Sequence, residues 1–209
     1  MKGILFKPDM IQATIEGKKT QTRRVIKHPA VPNTDIIGFQ EFRDIPPHKD
    51  KWQPKSGYYA LLRCNASQDF QTIYFRCSYC IGETVYIKEA WAVDRQLDGY
   101  CPSGQYNTPV YYHGELDMAF RGRWRSPLFM PEWAARYFVL IEDVRAERLQ
   151  EITEEDAIAE GMRRQELPYD IAPVWQYQEL WDSINKDYPW ESNPWVFRYE
   201  FEYQTKEKV

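Results

Sequence analysis

Cysteine, histidine and excess charge of either sign are all scarce in this chain. The 209 residues include four cysteines and three histidines, and the formal net charge is −4. Binding a long phosphate backbone needs a strongly basic face, so this charge argues against a nucleic-acid coat protein. A small nucleotide, or an RNA held by a local basic patch, stays compatible with it.

Long apolar runs are missing as well. No stretch approaches the roughly 20 residues that cross a bilayer. The apolar part of the first residues, "MKGILFKPDM", is too short for a signal peptide. We therefore expect a cytoplasmic protein without a membrane partner, in which the cysteines are reduced.

The cysteines lack the spacing of a metal site. Cys77 and Cys80 form a single CxxC, whereas Cys64 and Cys101 stand alone. A structural zinc site uses two close pairs or added histidines, and a thioredoxin-type site is followed by a helix signal that is missing here. Buried or loop thiols are the favoured interpretation, and we expect neither a metal nor a cofactor.

Aromatic residues, in contrast, are abundant. They make up 16% of the chain and include eight Trp and fifteen Tyr. Such a content indicates either a wide aromatic core or a surface on which flat rings stack, and composition does not decide between the two.

Periodicity predicts three short helices and many strands in one domain spanning residues 1–209. Two Pro-rich or polar regions, near 28–56 and 94–125, are predicted to be loop insertions. This pattern favours an α+β fold around a mostly antiparallel, barrel-like sheet. The predicted helices cover 8–15, 154–160 and 172–185, and the predicted strands cover 18–26, 58–64, 71–77, 83–93, 109–113, 137–149 and 194–203.

The clearest local signal is "EITEEDAIAEGM", residues 151–162. Thr153 is a predicted N-cap, and Asp156 three residues later completes a variant of the capping box. Gly161 is expected to end the helix, which places Glu160 in its last turn beside small residues.

The stretch "EGKKTQTRRVIK" offers more than charge. A threonine hydroxyl becomes a nucleophile when a neighbour removes its proton, and a lysine with a lowered pKa can do so. Lys19 and Thr22 are candidates for this pair, and Arg23 and Arg24 for holding an anionic or carbonyl group. A carboxylate must orient the lysine or relay a proton, and Glu160 is our candidate.

Plainer interpretations compete with this one. A basic strand edge often serves only to prevent aggregation, and a glutamate near a helix end is commonly solvated. On a regular strand Lys19 and Thr22 would also point to opposite faces. They converge only if Lys19 lies in the turn that follows Gly17.

Four ordered segments carry a family resemblance: "ILFKPDMIQATIEGKKTQTRR", "VYIKEAWA", "ITEEDAIAEGM" and "LWDSIN…NPWVFRYEFE". Together they resemble the ASCH-domain proteins, and in particular the longer members carried by phages and prophages. The resemblance implies a PUA-like fold, which is a small β-barrel with helices at its ends. It also implies a cleft that faces RNA or a nucleoside.

The resemblance also implies a site. Small bacterial ASCH members that remove the acetyl group from N4-acetylcytidine use a Lys, a Thr and a Glu, and these positions match Lys19, Thr22 and Glu160. The leading hypothesis is therefore a metal-independent amidohydrolase acting on an N-acylated cytidine. The alternatives are a non-catalytic RNA-binding module and a metal-independent ribonuclease.

The chain departs from the family pattern at residues that are expected to bind the substrate. Phage-type relatives carry an Arg-Glu pair after the central strand, where this chain has Lys88 and Glu89. The lysine keeps the charge but lacks the two-pronged guanidinium. We include both among the expected substrate-binding residues, together with Arg23, Arg24 and Trp91, whose ring either stacks on the base or lies in the core.

Overall fold

The computed structural model describes residues 1–27, 35–42, 57–64, 71–93, 110–112, 122–164 and 171–205. Three α-helices lie in these segments: α1 (Pro8–Ile15), α2 (Glu154–Ala159) and α3 (Pro173–Ile184). The strands are β1 (Lys2–Leu5), β2 (Gln21–Val25), β3 (Asp35–Phe42), β4 (Gly57–Cys64), β5 (Gln71–Arg76), β6 (Thr84–Lys88), β7 (Trp91–Val93), β8 (Val110–Tyr112), β9 (Tyr137–Arg148) and β10 (Trp195–Thr205).

The main sheet has five strands in the order β1-β6-β9-β10-β2. The pair β1–β6 is parallel, whereas β6–β9 and β10–β2 are antiparallel. A second sheet has the order β3-β4-β5, and β7 pairs with β8. The predicted α+β class with a mostly antiparallel sheet is confirmed. The described order runs from β1 to β2 without closing, so the more specific small barrel stays a prediction.

The chain divides into two compact units that alternate along the sequence. Unit 1 comprises Met1–Lys19, Thr84–Leu140 and Glu202–Val209. Unit 2 comprises Thr20–Glu83 and Ile141–Phe201. Each unit has its own cluster of buried apolar side chains, which stabilises it through the hydrophobic effect. The cluster of unit 1 includes Tyr86 and Phe138, and that of unit 2 includes Tyr177 and Trp181.

Local signals placed most elements correctly. α1 begins at Pro8, and Gly17 follows it with a φ of 70°, a conformation that glycine adopts without strain. Thr153 caps α2 through a reciprocal pair of hydrogen bonds with Asp156, and Gly161 lies beyond its end with a φ of 101°. The predicted hairpin is present as β4 and β5, and β9 and β10 match the two long predicted strands.

Two sequence predictions are wrong. The loop expected at 28–56 contains β3, which pairs with β4 along its length. The single strand expected at 83–93 is two strands, β6 and β7, separated by Glu89 and Ala90. Most of the second predicted insertion, 94–109 and 113–121, lies outside the described residues.

Candidate functional site

A cavity of about 350 Å³ lies in unit 1. α1 forms one side of the cavity. Its apolar residues recur at helical spacing, so their side chains lie on the same face of the helix. The segment after β6 contributes Glu89 and Ala90, and the chain entering β9 contributes Arg136 and Tyr137. The remaining lining residues are Phe6, Pro8, Ile11, Gln12, Ile15 and Pro127.

Glu89 and Arg136 form a two-pronged ion pair on the wall of this cavity. Arg136 donates from Nε to Oε1 and from Nη2 to Oε2 of Glu89, both at 2.8 Å. The guanidinium also lies over the rings of Tyr112 and Tyr137, with centroids 3.8 and 4.6 Å away. Parallel hydrogen bonds and stacking together fix the orientation of the carboxylate.

Lys19 is buried in unit 1, with 1% of its surface exposed. Its ammonium Nζ lies 5.4 Å from the ring centroid of Phe6, and Phe6 lines the cavity. Its backbone N–H donates to the carbonyl of Ala13, so the chain doubles back on α1 after Gly17. The turn itself covers Glu16 and Gly17, and Lys19 follows it two residues later in a β-bridge, whereas the Lys18 side chain is 61% exposed and pairs with Glu16.

Arg23 is the centre of a buried charge cluster in unit 2. Its side chain is fully buried and meets three carboxylates. Nε donates to Glu147 Oε1 at 2.7 Å, and Nη1 donates to Glu160 Oε1 at 3.2 Å. Nη2 lies 3.0 Å from Asp156 Oδ2, a charge contact without hydrogen-bond alignment. Buried charges are stable only when paired in this way.

A second arginine completes this cluster. Arg198 on β10 is the cross-strand partner of Arg23 on β2, so both side chains leave the same face of the sheet. Two like charges at such positions repel each other unless anions lie between them. Arg198 Nη1 is 3.4 Å from Asp156 Oδ1 and 3.8 Å from Glu147 Oε2, so these two carboxylates bridge the arginines.

The cluster shifts the pKa of its members in different directions. Burial raises the pKa of Glu147, although the charges of Arg23 and Arg198 oppose it. Burial would also raise the pKa of Asp156, but Arg23, the backbone N–H of Thr153 and Arg198 together lower it. Burial and the nearby charge of Glu160 raise the pKa of Tyr177 well above 10, so this phenol stays neutral beside the carboxylate.

Glu160 is the C-cap residue that directly follows α2, and it is 3% exposed. The prediction that it lies in the last turn beside Gly161 is confirmed, but it is not the solvated glutamate of the plainer interpretation. The backbone N–H of Thr20 donates to the carbonyl of Ala159 at 2.8 Å. This hydrogen bond joins the start of unit 2 to the end of α2.

Thr22 is also buried, at 5% exposure, but on the other face of β2. Adjacent strand residues alternate, so Thr22 and Arg24 point away from the face that carries Arg23. The cross-strand partner of Thr22 is Tyr199, whose hydroxyl accepts a hydrogen bond from the N–H of Ser78. The structure thus brings Arg23 and Glu160 together, and it places Thr22 beside Tyr199.

Two predicted substrate-binding residues have contacts within the protein. Lys88 donates from Nζ to the carbonyl of Leu128 at 2.9 Å. Trp91 is 3% exposed in the apolar cluster of unit 1, packed edge-to-face on Trp133 with Arg125 over its ring. The core alternative describes Trp91 better than the stacking one.

Several charged partners in these contacts carry no recognisable signal in the sequence. Arg136 lies just before β9, Glu147 lies in β9 and Arg198 lies in β10, and no spacing links any of them to its partner. For Arg198 the sequence offered no signal, since the alternation in β10 puts it on the face opposite the buried aromatics Phe197 and Tyr199.

Comparison with known proteins finds no matching family model, no matching curated protein and no matching solved structure. Among the described residues, no three His, Cys, Asp or Glu side chains are grouped so as to hold a metal ion. Within the same residues, no helix has the length and apolar character needed to span a membrane.

Proposed function

We propose that this protein is a nucleoside-directed amidohydrolase that removes the acyl group from an N4-acylated cytidine. The observation that carries the proposal is the burial of Lys19, Thr22 and Glu160. The competing interpretations, an edge that prevents aggregation and a solvated helix glutamate, both require exposed side chains. Ionisable groups are seldom buried without a task, and they concentrate at functional sites.

The roles follow from the chemistry of each residue. Thr22 attacks the acyl carbonyl, Lys19 takes the hydroxyl proton, and Glu160 relays a proton to the leaving amine; water then hydrolyses the acyl-threonine ester and restores the Thr22 hydroxyl. This route requires the Glu160 carboxylate, which contacts Arg23, to reach a substrate on the Thr22 face of β2. Arg24 shares a face of β2 with Thr22, so it is our candidate for stabilising the oxyanion. Arg23 is enclosed by carboxylates, and we assign it the task of positioning Glu160.

The proposed fold is the PUA-like barrel that the resemblance implies. The five-stranded, mostly antiparallel sheet with α1, α2 and α3 supports it, because such a barrel is built from these elements. The barrel is closed if β1 and β2 pair directly or through a sixth strand. An experimental structure that shows either pairing would support the proposed fold. An open sheet in that structure would contradict it.

Hydrolysis of N4-acetylcytidine by the purified protein tests the function. We expect Lys19→Ala, Thr22→Ala and Glu160→Ala each to lower kcat/KM by at least about 100-fold, since general-base catalysis contributes roughly 10²–10⁴. The matched controls are Lys18→Ala, Thr20→Ala and Glu155→Ala, which alter the same residue types at exposed neighbouring positions. They should keep the wild-type rate. A wild type no faster than its three buried-site variants would sink the proposal for this substrate.

The alternatives are separable in the same preparations. An RNA-binding module needs cations that reach phosphates, and its affinity falls steeply with salt. Arg23 is unsuited to that role because its side chain is fully buried. A metal-independent ribonuclease would cleave labelled RNA in the presence of EDTA. Salt-sensitive RNA binding without hydrolysis of the nucleoside would favour the module, and cleavage in EDTA would favour the nuclease.

A further inference from the structure

The cavity of unit 1 has the size and surface of a site for one small heterocycle. Its volume of about 350 Å³ lies at the lower end of ligand pockets, which span roughly 300–1,000 Å³. Phe6 and Tyr137 provide aromatic surface, and Ile11 and Ile15 provide aliphatic surface. Aromatic side chains in the lining provide ring faces on which a planar ligand can stack.

The charges in the lining balance each other. Glu89 and Arg136 neutralise one another through two short hydrogen bonds. A charged ligand would lose its hydration in the cavity without gaining a free counter-charge from this pair. A neutral ligand does not incur that cost, so the lining favours an uncharged ring.

Glu89 determines the orientation in which a ligand can bind in the cavity. Each of its oxygens accepts one hydrogen bond from Arg136, and a carboxylate oxygen can accept two. An ionised carboxylate cannot donate, so whatever meets its remaining lone pairs must present an N–H or O–H. Arg136 keeps the carboxylate in place, and Tyr112 and Tyr137 keep Arg136 in place.

We propose that this cavity binds a cytosine base and that Glu89 accepts a hydrogen bond from its exocyclic amino nitrogen. Cytosine carries that donor, and N4-acylcytosine keeps one N–H there. Uracil presents a carbonyl oxygen at the same position, and this oxygen would face the carboxylate. The cavity therefore selects cytosine over uracil, with Arg136 as the positioning residue. The inference rests on the nucleoside-directed function proposed above.

Calorimetric titration with cytidine and uridine tests the selectivity. We expect cytidine to bind at least about tenfold more tightly, as fits one hydrogen bond to a charged group. Glu89→Gln should bring the two affinities within about threefold, because a glutamine amide can face either base. Arg136→Lys should weaken cytidine more than uridine. The control Glu142→Gln makes the same change at an exposed position on β9 and should retain the wild-type preference.

Gln12→Trp tests the location without disturbing the ion pair. Gln12 is exposed on α1 and lines the cavity, so a tryptophan there fills the cavity from its rim. We expect cytidine binding to weaken by more than about tenfold while the thermal unfolding midpoint stays near that of the wild type. Unchanged cytidine affinity in this variant, or equal affinity of the wild type for both nucleosides, would overturn the inference. So would undetectable cytidine binding at millimolar concentration.

Binding and hydrolysis separate the two proposals. Selective cytidine binding that is lost in Gln12→Trp, without any deacetylation, would support the base subsite and contradict the amidohydrolase proposal. The opposite result is deacetylation with the same kcat/KM in the wild type, Gln12→Trp and Glu89→Gln. It would support the amidohydrolase proposal and contradict the base subsite.

Discussion

Two glutamates show two ways of placing a carboxylate inside this protein. Glu89 in unit 1 has one arginine partner, whose side chain is 24% exposed, and it borders a cavity. Glu160 in unit 2 belongs to a cluster in which the fully buried Arg23 and the neighbouring Arg198 meet four carboxylates, those of Glu147, Asp156, Glu160 and Glu200. The first arrangement leaves the carboxylate available to a ligand. The second places the carboxylate against Arg23 within a larger group of buried and half-buried charges.

The largest expected effect comes from breaking the unit 2 cluster. Arg23→Met leaves Glu147, Asp156 and Glu160 close together with less positive charge, so we expect a loss of about 3–5 kcal/mol in the free energy of unfolding. Urea denaturation followed by circular dichroism measures it. Arg145→Met, at an arginine whose side chain is 62% exposed, is the control and should change stability by less than about 1 kcal/mol. A loss no larger than that of the control would contradict the cluster.

Breaking the unit 1 pair should have a smaller effect on stability. Arg136→Met leaves Glu89 without its partner, but water in the adjoining cavity can solvate the carboxylate. We expect a loss of about 1–3 kcal/mol in the same denaturation experiment. A loss that equals or exceeds that of Arg23→Met would break the contrast between the two arrangements.

The smallest effects concern the pH dependence within the unit 2 cluster. The pKa of Asp156 is lowered from 3.8, so its ionised form stabilises the folded state above pH 3.8 and this stability is lost as pH falls through the lowered value. Asp156→Asn should therefore cost about 1 kcal/mol at pH 7. The difference from the wild type should shrink in acid.

Glu147 should show the opposite trend. Its pKa is raised from 4.5, so the stability that it contributes is present below pH 4.5 and is lost as pH rises through the raised value. Glu147→Gln should therefore gain stability relative to the wild type over that interval. Unfolding midpoints measured from pH 3 to pH 7 check both variants. Parallel trends for the two substitutions would contradict the pKa directions.

Sequence reasoning succeeded where the cause is local. Pro8 and Gly17 bound α1, and Thr153 and Asp156 cap α2, because these residues act within a few positions of themselves. It failed for β3, whose Pro-rich surroundings suggested a loop. The pairing of β3 with β4 depends on hydrogen bonds to a distant segment, which no local pattern encodes.

The same distinction between local and distant causes applies to the residues of the candidate site. Lys19, Thr22 and Glu160 were identified as residue types suited to the chemistry, and the structure buries all three. The partners that determine what each can do, such as Arg136 for Glu89 and Arg23 for Glu160, were not identified. Strand register decides these contacts, and a shift of one residue would have sent Arg23 to the face of Thr22.

The parallel pairing of β1 with β6 has a consequence for how the protein is made. Lys2 pairs with Val85 and Leu5 with Lys88, so β1 leaves the ribosome well before the strand with which it pairs in the described sheet. Closing so long a segment makes folding slow, and the apolar Ile4 stays accessible to chaperones in the meantime. Pulse-labelling hydrogen exchange during refolding should find the amides of β1 among the last to gain protection.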